Sequence, residues 1–68
     1  MDDKLILDIL NRTNNGGLTI TEIVNESGLS RGAVRIILAR LEGGEKVIVR
    51  KVGMAKLYQP VDLPMKNI

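Results

Sequence analysis

The chain has 68 residues and a formal net charge of +2, with no cysteine, no histidine and one aromatic residue, Tyr58. Disulfides, Cys/His zinc sites and a histidine base are therefore excluded, and one ring cannot build a stacking platform for single-stranded nucleic acid. So short a chain has room for one small domain, burying only about 60% of its unfolded surface and held together by aliphatic packing or by a partner subunit.

The charge is unevenly placed. Residues 1–29 carry −3 and residues 30–68 carry +5. A merely solvated surface would spread the basic residues more evenly, so the asymmetry points to a surface that faces a polyanion. No run is apolar enough for a membrane span, and the acidic Met1-Asp2-Asp3 does not resemble the basic start of a signal peptide. A cytoplasmic protein without a membrane partner is expected.

Asp2 to Arg12 is predicted to be the first helix, with acids at its positive end and Arg12 at its negative end. Leu5, Ile6, Ile9 and Leu10 should share its buried face. Leu7 points elsewhere, as an exposed leucine, one covered by the C-terminal tail, or a self-association contact. Asn11 to Gly17, with its Asn14-Asn15-Gly16-Gly17, is read as a turn. Leu18-Thr19-Ile20 is expected to be briefly extended, a candidate short third strand of a small sheet.

Thr19 and Glu22 have the spacing of a capping box, and Leu18 and Ile23 that of a hydrophobic staple. The second helix should stop near Ser27, because Gly28 suits the left-handed position beyond a helix end. Ser30 is the next N-cap candidate and opens a third helix running to about Glu42, before Gly43-Gly44. Ala33, Val34, Ile37, Leu38 and Leu41 fall on one side of that helix. Gly32, Arg35, Ile36 and Ala39 fall on the other, flanked by Arg31 and Arg40.

Val47–Lys51 and Ala55–Gln59 are β-prone and separated by Val52-Gly53-Met54, a hairpin with a three-residue tip. Arg50, Lys51 and Lys56 bracket the tip. Pro60 suits the end of an edge strand. Residues 1–61 thus read as one domain and 62–68 as a C-terminal tail, whose Leu63, Met65 and Ile68 could dock on the body or on a second copy.

The run from Leu18 to Glu42, with Gly28-Leu29-Ser30 at its turn and Val34, Leu38 and Leu41 in its last helix, followed by V-I-V-R-K and L-Y, resembles the winged helix-turn-helix family. It is similar to small bacterial and archaeal transcriptional regulators of the MarR/ArsR-like kind. The resemblance implies an α+β fold, three helices followed by a two-stranded wing, and a double-stranded DNA partner. The third helix would enter the major groove and the basic wing would meet flanking backbone or the minor groove. Arg35 is then the first choice for a guanine contact, and Arg31 for a second or for a phosphate. Ser30 and the helix amides would hold a phosphate oxygen, and Arg40 would meet backbone. Arg50, Lys51 and Lys56 would grip flanking phosphates or the minor-groove edge.

Family members often carry Ser or Thr at the position of Gly32 and a polar or basic residue at that of Ile36. Gly32 would let the helix backbone, and Ala39 a small side chain, lie close to DNA. Ile36 could touch a thymine methyl or belong to a protein interface. Two other readings follow, a docking module without DNA binding and a sequence-nonspecific architectural DNA-binding protein. A homodimer would form through the first helix at Leu7 or through the tail. No enzymatic constellation, cofactor motif or small-molecule effector site is evident.

Overall fold

The computed structural model describes residues 2–13 and 16–61. Three helices, α1 (Asp2–Arg12), α2 (Ile20–Ser27) and α3 (Arg31–Gly43), precede an antiparallel hairpin of β1 (Val47–Val52) and β2 (Ala55–Pro60). This is the expected α+β order of three helices and a wing.

The helix ends follow from local chemistry. Thr19 Oγ1 accepts from the Glu22 N–H at 3.2 Å while the Glu22 carboxylate accepts from the Thr19 N–H at 2.8 Å, closing the capping box. Gly28 ends α2 with φ +75°, its N–H donating to the Val24 carbonyl. Ser30 caps α3 by accepting from the Ala33 N–H. The end of α3 departs from expectation by one residue. Gly43 is still helical and Gly44 has an ordinary φ of −87°, so the left-handed position falls on Glu45, φ +61°. The Lys46 N–H donates to Leu41 and the Glu45 N–H to Glu42, the two bonds of a Schellman motif.

The core joins all five elements: Ile6, Ile9 and Leu10 of α1, Ile23 of α2, Val34, Ile37, Leu38 and Leu41 of α3, Val47 of β1 and Tyr58 of β2, with Leu18 between α1 and α2. In α1 the flanking leucines exchange the places expected of them. Leu5 is exposed, whereas Leu7 is half-buried and packs against the core. Both lie about 100° from the middle of the buried face, so the choice falls to what packs on each side. On the side of Leu7 sit Gly44, Lys46, Pro60 and Val61 at the base of the hairpin.

The hairpin is longer and its tip shorter than expected. Val52 pairs with Ala55, leaving Gly53-Met54 as a two-residue turn with φ +62° at Gly53. Glycine at the first central position is the requirement of a type II′ turn. No strand forms over Leu18–Ile20. Leu18 makes one isolated bridge to Tyr58, with N–H···O distances of 3.0 and 2.7 Å, and Ile20 already belongs to α2. The bridge brings Gly17, φ +112°, hard against β2, where a Cβ would lie 2.9 Å from Gln59 and 3.0 Å from Leu57. Because Tyr58 spends its backbone groups on Leu18, antiparallel alternation turns the nitrogen of Pro60 the same way, away from β1. The missing N–H of Pro60 thus costs no ladder bond. No helix among the described residues is long and apolar enough to cross a membrane. The tail contacts expected of Leu63, Met65 and Ile68 lie outside the described residues.

Candidate nucleic-acid interface

The exposed side of α3 is built by its periodicity. Val34, Ile37, Leu38 and Leu41 are buried, which forces Arg31, Gly32, Arg35, Ile36, Ala39 and Arg40 outward. Ile36 is 63% exposed, an unusual position for a large aliphatic side chain with a polar alternative available. A Cβ at Gly32 would meet nothing within 4 Å, so no intramolecular packing accounts for its missing side chain.

The start of α3 leaves hydrogen-bond donors unpaired among the described residues. The Ser30 hydroxyl uses a lone pair on Ala33, which leaves its proton free to donate outward. The first amides of α3, at Arg31 and Gly32, have no backbone partner among the described residues. Arg31 reaches back across the turn and donates to Thr21 Oγ1 at 3.2 Å, which steadies the guanidinium over the α2–α3 junction.

The six basic residues singled out in the sequence do not form one cluster. Arg40 is held by Asp3 through two hydrogen bonds, 2.6 and 3.3 Å, tying α3 to α1. Its hydrogen bond and charge draw the Asp3 carboxyl below its ordinary pKa, and Asp3 in turn raises that of Arg40. This is the one ion pair among the described residues. Arg50 shares an outer face of the hairpin with Ile48 and Val52. Lys51 and Lys56 lie on the other face, that of Val47, Val49 and Tyr58, which packs on the helices.

Lys51 and Lys56 are direct cross-strand partners. By the same alternation they form a non-hydrogen-bonded pair, the arrangement that sets opposed side chains closest. Like charges placed so are destabilising unless something anionic lies between them. Lys56 also lines an open groove of about 430 Å³ together with Arg35, Ala39, Glu42, Ile20 and Tyr58. The groove places the wing lysine and the α3 arginine on one continuous surface. Glu42 is its acidic member, and the sequence did not reveal that Glu42, Ile20 and Tyr58 would border it. Only the Leu18–Tyr58 bridge and the packing of α3 on the hairpin bring them there.

A family model described as winged helix-turn-helix DNA-binding matches residues 3–45, from α1 to the turn that follows α3. Among curated proteins none matches. The match covers well over half of the chain and falls on the three helices whose order and caps are described above; the chain belongs to the winged helix-turn-helix DNA-binding family.

Proposed function

We propose that this protein binds double-stranded DNA in the cytoplasm as a transcriptional regulator of the MarR/ArsR-like kind, without catalysis. The observation that carries the reading is the continuity between the outward face of α3 and the lysine face of the wing, across the groove shared by Arg35 and Lys56. Arg35 reads a base edge from the major groove, and Ile36 meets a thymine methyl beside it. Gly32 and Ala39 let the helix lie close. Ser30, the first amides of α3 and Arg31 take a phosphate.

Lys51 and Lys56 grip the flanking backbone, and a phosphate between them relieves their mutual repulsion. A two-residue tip is short for deep minor-groove insertion, which favours backbone contact. Arg50, on the opposite face, contributes to the general positive field. Arg40 contributes only by sharing its guanidinium between Asp3 and a phosphate.

Fluorescence anisotropy with a random-sequence duplex tests this reading. The expected result is binding that weakens steeply with salt and falls further in the Arg31→Ala/Arg35→Ala variant. Absence of binding at low salt would overturn it. The 63% exposure of Ile36 favours one second reading, a docking module whose partner covers that residue. Such a module shows no salt-sensitive affinity for DNA. Equal affinity for unrelated duplexes, with no preferred site on selection, would instead identify an architectural protein.

A further inference from the structure

The hairpin has one open edge. Val61 donates to the Lys46 carbonyl and Tyr58 is turned toward Leu18, so residues 48, 50 and 52 of β1 face β2. The backbone groups of Val47, Val49 and Lys51 therefore point the other way, with no partner among the described residues. An edge of this length is a template for pairing with another strand. On the outer face beside it, Ile48 and Val52 are 47% and 50% exposed. Beside the base of the same edge lies a groove of about 510 Å³ lined by Glu42, Glu45, Val47, Ile48, Val49 and Val61.

The charges along this edge are polar in order. Glu42 and Glu45 line the groove at the Val47 end, where Lys46 instead borders a separate groove with Leu7 and Pro60, and Arg50 and Lys51 stand at the other end. A parallel partner would set like charge against like. An antiparallel copy of β1, related by a two-fold at Val49, sets Val47 opposite the partner's Lys51 and Ile48 opposite the partner's Arg50. Each copy's Lys51 then enters the other's groove beside Glu42 and Glu45, and the two pairs form together by symmetry.

We propose that β1 is a self-association edge, where two copies of this chain join their hairpins into one four-stranded antiparallel sheet. The surface is small, so the dimer belongs to the weak class. The inference does not depend on DNA binding. It is tested without DNA because Lys51 belongs to both surfaces.

Sedimentation equilibrium from micromolar to millimolar chain is the experiment. Wild type is expected to rise from one chain mass toward two. Lys51→Glu alone, and Glu42→Lys/Glu45→Lys alone, are expected to remain monomeric. An equimolar mixture of those two variants is expected to recover the dimer, because each then offers the charge the other lacks. Misfolding of either variant cannot produce that recovery. A wild type that stays monomeric at millimolar concentration would overturn the proposal. So would a dimer that survives both reversals, which would move the contact to another surface such as the tail.

Discussion

Glu45 is where local sequence and backbone disagree. A left-handed conformation costs a non-glycine residue about 1–2 kcal/mol, yet two glycines stand just before it in ordinary helical and bridging conformations. Glu45→Gly is therefore expected to raise stability by about 0.5–1 kcal/mol, after the added chain entropy of the unfolded state, read from urea unfolding. The cap residues were legible because Thr19–Glu22 and Gly28 act within a turn of themselves. The position of Glu45 was not, because it depends on whether α3 ends before or after Gly43, and two adjacent glycines leave that choice open. Gly32 supplies the opposite test. With open space around it, Gly32→Ala should stabilise the fold by up to about 1 kcal/mol. If the α3 backbone lies against DNA, the same substitution should weaken duplex binding. A variant that gains stability and loses affinity separates a functional glycine from an incidental one.

At the scale of elements, the alternation of buried and exposed residues made α1, α2, α3 and the hairpin readable. What it could not supply was the arrangement of elements on one another. Leu5 and Leu7 flank the buried face of α1 almost symmetrically, and only the hairpin base, distant in sequence, covers one of them. The pairing of Asp3 with Arg40 spans 37 residues and has no local signature. It also sets a pH dependence. The Asp3 carboxyl is lowered chiefly by its hydrogen bond from Arg40, so its contribution is present above the ordinary carboxylate range of the unfolded chain. It is lost as pH falls through the lower folded value. The pair is exposed, and its contribution near neutral pH is small. Asp3→Asn is expected to flatten the acid limb of a thermal-stability profile while leaving the neutral region nearly unchanged. An acid limb identical to wild type would show that Arg40 gains nothing from Asp3.

For the whole molecule, the fold turns a skewed charge distribution into a directed one. The six basic residues singled out in α3 and the wing divide into an α3 face, a wing lysine pair, an arginine on the outer face of the wing, and one arginine committed to α1. The charge asymmetry of the two halves was visible in the sequence. The division was not, because it rests on strand register and on the Leu18–Tyr58 bridge. Lys51 and Lys56 are the informative pair, since their juxtaposition is unfavourable in the free protein. Replacing both with alanine should leave stability unchanged or slightly raised.

The most direct test of a single surface spanning α3 and the wing is the salt dependence of duplex binding for wild type and Lys51→Ala/Lys56→Ala. Each phosphate contact adds about one to the slope of log K against log salt. The slope is expected to be shallower by about two in the double variant, with folding intact. An unchanged slope would take the wing off the DNA and leave α3 without the surface described for it.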